Sequence, residues 1–342
     1  MKKIALSLLM AAAVITGCAA PSTKTTKDTK ASTSTTAPQT TPSPASTPTA
    51  EKIPVATSFN PIDKLVQYIG GDRVQTTMFV PAGVEPHDYE PTPKDMARLK
   101  GAKVLFINGF DMEHWVDSSI TKQTKLMNLS EGINPIRLAD HDKDHDHDKE
   151  KDKDKDKDKD HDHDKDHDHD HDHKHGEFDP HIWLGMKELR LMAKNTATAL
   201  TMVSPQDKTY FEENLAKFNK EADALDQEYL PQFKPFAGKS FVTGHEAFGY
   251  LCRNLNLKQQ AVEGPFAEGE PTPQKIKALV DHVKAEKIST IFVEELASPK
   301  VSETLARETG AKTVQINTLE AEGDLFPTLK DIYQKVLDSF KK

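Results

Sequence analysis

Fifteen histidines are spread unevenly along this chain of 342 residues. Ten fall in one run, 140–175, and five stand outside it: His87, His114, His181, His245 and His282. Three of the five sit where a loop meets an element. His87 lies in the stiff, proline-rich stretch Pro81–Pro93 (PAGVEPHDYEPTP). His181 lies in Asp179-Pro180-His181-Ile182-Trp183-Leu184, and His245 in Thr243-Gly244-His245-Glu246, directly after an apolar stretch. An imidazole in such a place can carry a proton, cap an element or ligate a divalent metal. Spacing alone does not choose between these. His87 and His181 are 94 residues apart (181 − 87), and His181 and His245 are 64 apart (245 − 181), far from the short ligand spacing of a zinc finger. His245-Glu246 does not begin an HExxH helix, because the fourth residue after His245 is Gly249. His114, in Asp111-Met112-Glu113-His114-Trp115, reads as a surface group or a neighbour of the site, and His282 as a solvated residue on a helix among Lys and Asp.

The elements that must position these residues alternate. Ile53–Ser58, Gln75–Val80, Lys103–Asn108, Lys239–Thr243, Ser289–Glu294 and Lys312–Ile316 read as short apolar strands, with Pro135–Leu138 a further candidate. Pro61–Ile69, Pro93–Leu99, Lys187–Met202, Glu246–Asn254, Pro273–Glu286, Lys300–Thr309 and Pro327–Phe340 carry helical spacing. Between the two sets Ser204-Pro205 starts a helix that reaches about Tyr229, with Tyr210, Phe211, Leu215, Phe218, Ala222 and Leu225 on one stripe. About 25 residues of helix span about 37 Å. Strands separated by helices imply parallel sheets with helices on both faces. The expected fold is therefore α/β: two lobes, each a parallel sheet flanked by helices, bridged by one long helix. Ligands bind outside the carboxyl ends of such strands, so two lobes would face two sets of strand ends across one cleft. The expected boundaries are 51–203 for the N-terminal lobe, 204–230 for the linking helix and 231–342 for the C-terminal lobe.

Two segments fall outside this pattern. Lys2 and Lys3 precede an apolar stretch from Ile4 to Ile15 that ends in Thr16-Gly17-Cys18. That is a secretory signal over 1–17, too short to span a membrane. Residues 18–50 are rich in Thr, Ser, Pro, Ala and Lys and read as a disordered tether. The run 140–175 holds 16 Asp, one Glu, nine Lys and ten His, a net charge of −8 out of the chain's −9. It has no apolar residue to bury and reads as a solvated loop inserted in the N-terminal lobe. Its imidazoles and carboxylates suit loose capture of several divalent ions, which would raise their concentration beside the cleft; a passive spacer is the bland alternative. The rest of the chain, near neutral, offers no basic surface for nucleic acid. With Cys18 at the end of the signal, Cys252 is the only other cysteine and no intramolecular disulfide is expected.

Four ordered motifs, GVEPHDYEPTPKDMARL, DPHIWL, TGHEAFGYL and EGPFAEGEPTPQKIKALVDHVKAEKISTIFVEE, resemble the metal receptors of bacterial ABC importers, the zinc and manganese solute-binding lipoproteins. The likeness runs from about residue 53 to the C-terminus, and a His-rich charged insertion before DPHIWL is typical of the zinc branch. It implies two α/β lobes joined by a rigid helix, lipidation of Cys18 at the cell membrane, and delivery of Zn²⁺ to an ABC permease. It implies His87 and His181 as ligands from the N-terminal lobe, and His245 from the C-terminal lobe. The fourth ligand of the family, a carboxylate after the last strand, falls on Glu320 in Gln315–Glu320; Thr318 replaces the family's Pro, which keeps Glu322 and Asp324 as substitutes, or water. Three imidazoles and a carboxylate suit zinc, whereas manganese favours more oxygen. The resemblance implies no catalysis and a monomer, with release separating His87 and His181 from His245 and Glu320. A manganese or iron receptor, a metal-dependent adhesion lipoprotein and a zinc hydrolase stand as alternatives. Glu263, Glu268 and Glu270 read as loop wall, Glu294 or Glu295 as a hydrogen-bond partner of a ligand imidazole, and Trp183 and Phe248 as core.

Overall fold

The computed structural model describes residues 51–138, 176–267, 271–296 and 298–341. The signal, the tether and the charged run lie outside the described residues, as do Glu268 and Glu270. The chain order is β1 (Ile53–Thr57), α1 (Asn60–Gly70), β2 (Val74–Met78), α2 (Pro93–Arg98), β3 (Val104–Ile107), α3 (Ser118–Thr121) and β4 (Lys125–Asn128). Then come α4 (Met186–Val203), α5 (Lys208–Phe233), β5 (Ser240–Thr243), α6 (Gly249–Leu255), β6 (Lys258–Ala261), α7 (Pro273–Glu286), β7 (Thr290–Glu294), α8 (Pro299–Thr309), β8 (Lys312–Ile316) and α9 (Leu325–Phe340).

Eight strands form two parallel four-stranded sheets, ordered β2-β1-β3-β4 and β6-β5-β7-β8. The two orders are the same permutation, so in each sheet the strand order reverses beside its first strand, the place where ligands bind in open sheets of this kind. The repetition reaches single residues. Thr92-Pro93 starts α2 and Thr272-Pro273 starts α7, each threonine accepting from the backbone N–H three residues on. The central strands β3 and β5 are buried throughout. One apolar core joins the first sheet, α4, α5, α6 and α9; a smaller one packs Val242, Val262 and Ile291 under Leu279, Val283 and Leu305.

The structure corrects several expected elements. β4 (KLMN) and β6 (KQQA) escaped the sequence because both are sheet edges, largely half-exposed, and need no apolar run. Pro135–Leu138 is not a strand: Arg137 makes a single bridge to Phe178. The helix expected from Glu246 begins only at Gly249. α5 continues through Pro231 to Phe233. Pro231 is exposed in the last turn, where a lost N–H and a displaced carbonyl are met by solvent.

Candidate metal centre

Each candidate residue is brought in by the loop after a strand or by the start of a short turn. His87 follows β2. His181 precedes a single tight turn, Ile182–Leu184, whose Trp183 is fully buried and stacks edge-on against Phe59. His245 follows β5 and Glu320 follows β8. His87, His181 and Glu320 meet with side chains only 3%, 0% and 2% exposed, and His245 is buried beside them. Nε2 of His87 lies 3.3 Å from Nε2 of His181. Glu320 Oε1 lies 3.4 Å from both nitrogens. The His245 ring centre is 4.7 Å from that of His181 and 5.5 Å from that of His87. One ligand atom from each of the three imidazoles falls within 4.8 Å of the others, and a second group, Glu85, His87 and Glu320, shares the same span. Donors about 2.0–2.1 Å from a tetrahedral zinc stand about 3.3–3.4 Å from one another, which is the spacing found among His87, His181 and Glu320.

The residue two positions before each candidate holds it in place. Asp179 Oδ1 accepts from the backbone N–H of His181 at 2.9 Å and from its Nδ1 at 2.8 Å. That fixes the ring and turns Nε2 toward the other donors. Glu85 accepts from the His87 N–H at 3.2 Å. The Thr318 hydroxyl donates to Glu320 Oε2 at 2.6 Å, leaving Oε1 free of hydrogen bonds and aimed at the imidazoles. Thr243 donates to the His245 carbonyl at 2.6 Å. The His245 ring places Nε2 2.8 Å from the Pro265 carbonyl. Asp179 and Glu85 were missed by sequence reasoning. The shared signal, a polar residue at i−2 in EPH, DPH, TGH and TLE, lay in the quoted motifs.

Proton positions follow from these contacts. Burial opposes charge on His181, but the Asp179 and Glu320 carboxylates outweigh it and hold its pKa up at about 9. Burial, then the repulsion of His181, holds His245 down at about 3. Burial alone would raise Glu320, yet the His181 and His87 imidazoles 3.4 Å from its Oε1 keep it well below the usual carboxylate range. Burial, then the charge of Glu320, pushes Glu85 up.

The remaining candidates stand elsewhere. Glu322 offers only its carbonyl, to Asn317, and Asp324 is an exposed partner of Lys64. His114 is partly exposed beside Glu90. His282 is half-buried rather than solvated, with Nε2 lacking a partner. Glu294 does not touch a ligand imidazole. It accepts the backbone N–H groups of Gly244 and His245, each at 3.1 Å, so it shapes the loop and not the ring. Burial pushes its carboxyl up to about 8. Trp183 and Phe248 are core, as expected. Cys252 is buried and free, its thiol pushed up by burial.

A family model described as zinc-uptake complex component A, periplasmic (ZnuA), matches residues 55–342. The chain belongs to this family. The high-affinity zinc uptake system protein ZnuA of Bacillus subtilis (strain 168) is 33% identical over 295 residues, which cover 84% of this chain and 86% of that protein. A crystal structure of ZnuA superposes with a TM-score of 0.69 at 27% identity, covering 84% of this chain and 99% of that one. The laminin-binding protein Lmb of Streptococcus agalactiae, described as bifunctional with adhesin and metal-transporting activity, gives 0.70 at 26% identity, covering 85% and 100%. The ZnuA-family chain is thus an extracytoplasmic zinc-binding receptor of an ABC importer, with Zn²⁺ as its bound cargo and the permease as its partner. Its family is one of transport receptors and not of enzymes. Among the described residues no helix is long and apolar enough to cross a membrane.

Proposed function

We propose that His87, His181, His245 and Glu320 bind one Zn²⁺ in the crevice between the lobes. The observation that carries this is the convergence of three buried imidazoles on one point, with a buried carboxylate oxygen that has no hydrogen-bond partner facing two of them. Burying such groups side by side is costly unless a cation compensates them. The three-nitrogen, one-oxygen set favours zinc over manganese. Glu85 stands by as a further oxygen donor. Zinc bound through His245 Nε2 would replace that nitrogen's hydrogen bond to Pro265. Four protein donors close the site, whereas a hydrolytic zinc keeps a position open for water, so the reading is of a carrier without catalysis.

The lobes in this reading are 51–203 and 231–342, joined by a linker over 204–230. Residues 1–17 are a signal peptide, Cys18 carries the lipid that anchors the chain to the cell membrane, and 18–50 are its tether. The working form is a monomer. The likeness to Lmb favours a second role in surface adhesion, which predicts an adhesion defect alongside zinc-limited growth when the protein is deleted.

The deciding experiment is zinc titration of the metal-stripped full chain and of a form lacking 140–175, with Mn²⁺ in parallel. One tight zinc retained by the shortened form, resistant to Mn²⁺, is the expected result. Loss of tight binding together with the run would overturn the site.

A further inference from the structure

We infer that Asn60 and Trp183 are the positioning residues of Glu320, and that the loop carrying it is held by the N-terminal lobe although it follows the C-terminal sheet. This rests on Glu320 being a zinc ligand.

Between the end of β8 and the start of α9, four backbone carbonyls accept hydrogen bonds from N-terminal donors. Trp183 Nε1 donates to the carbonyl of Thr318 at 2.8 Å. Asn60 Nδ2 donates to the carbonyls of Leu319 at 2.8 Å and Gly323 at 3.3 Å. The backbone N–H of Gly83, in the loop that carries His87, donates to Ala321 at 3.3 Å. Lys64 pairs with Asp324 at 2.9 Å. The first three donors bracket Glu320 on both sides. Asn60 and Trp183 are buried, so their hydrogen bonds are shielded from competing water. Leu319 sits at φ 70°, a left-handed conformation that a leucine rarely adopts and that persists only where its surroundings impose it. The clamp supplies that imposition through the Leu319 carbonyl, and the strained turn aims the next side chain, Glu320, at His87 and His181.

The clamp changes how the ligands divide. Chain order pairs Glu320 with His245 and predicts a two-against-two separation on release. The hydrogen bonds leave Glu320 with His87 and His181, so opening withdraws His245 alone and weakens the site by one imidazole.

The test is zinc affinity of the full chain by chelator competition for the first equivalent, in Asn60→Ala, Trp183→Phe, Glu320→Gln and the two combinations with Glu320→Gln, alongside thermal unfolding of the metal-free forms. Each clamp substitution is expected to weaken zinc by about fivefold, the worth of about one buried hydrogen bond. That loss should disappear in the Glu320→Gln background and persist in a His245→Ala background. Equal losses with and without the Glu320 carboxylate would show general destabilisation and overturn the clamp. Unchanged affinity in Glu320→Gln alone would remove Glu320 as a ligand and the inference with it. If Trp183→Phe does not fold, Asn60→Ala, which deletes a smaller side chain, decides.

Discussion

Asp179 determines where the proton of His181 sits, and that proton competes with zinc. The metal-free ring is protonated up to about pH 9, whereas a metal-bound imidazole must be neutral at its ligating nitrogen. With His181 as a ligand, zinc binding below about pH 9 would expel its proton, and affinity would rise with pH until the metal-free ring is itself neutral, above about 9. His245, held at about 3, gives up no proton at neutral pH. Calorimetry in buffers of different ionisation enthalpy at pH 7.5 should show about one proton released per zinc. Asp179→Asn should lower that number and weaken zinc by about 10–100-fold. Proton release unchanged in Asp179→Asn would exclude this coupling. The same shift stabilises the metal-free fold in full below the ordinary imidazole value of 6.5 and loses that stabilisation as pH rises through about 9. At this scale the sequence was partly legible. The four candidate ligands were readable only through the resemblance, since spacings of 94 and 64 residues (181 − 87 and 245 − 181) carry no metal signature. Asp179 and Glu85 went unread because a carboxylate two residues before a histidine has no meaning until a turn folds it back.

Elements bring the site together through close approaches that leave little room for a side chain. α6 begins at Gly249, where an added Cβ would lie 2.5 Å from Asp179 Oδ2 and 3.2 Å from the Ile136 side chain. Tyr250, next in α6, donates to the Asp179 carbonyl at 2.8 Å and accepts from the Ile136 N–H at 3.2 Å. The first turn of a C-terminal helix thus packs directly against the carboxylate that orients His181. Gly249→Ala must push Asp179 aside, and the expected result is a loss of zinc affinity of about tenfold, near the low end for disturbing a partner of a ligand. Chelator competition would measure it; wild-type affinity would show that Asp179 has room to yield. Helices with a firm start were read closely, as at Pro273–Glu286, where Thr272 and Pro273 fix the first turn. β4 and β6 were lost because an edge strand can be half polar. The start of α6 was misplaced because Glu246 looks like a helix former, while Thr243 and Gln259 bind the His245 carbonyl and hold that stretch as a loop.

At the scale of the whole molecule, two further groups of hydrogen bonds join the lobes besides those of Tyr250. Near the three imidazoles the Glu320 loop hangs on Asn60 and Trp183. The other group lies where α4 meets α6. There Glu188 accepts from Arg253 at 2.8 Å and Asn254 at 2.9 Å, and Asn254 accepts from the Lys187 N–H at 2.8 Å. These bonds and the 26-residue α5 restrain opening, so a buried site with few exposed donors should load slowly when zinc is scarce. The run 140–175 concentrates ten imidazoles and 17 carboxylates (16 Asp and one Glu) in a segment whose end, His175, is six residues from His181 (181 − 175). Weak binding there would supply zinc at a raised local concentration without altering the equilibrium constant of the central site. A form lacking 140–175 should therefore keep its zinc affinity, load more slowly at submicromolar zinc in stopped-flow mixing, and restore growth less well under zinc starvation. Equal loading rates and equal growth would reduce the run to a spacer. A fall in equilibrium affinity would instead place part of the tight site within it.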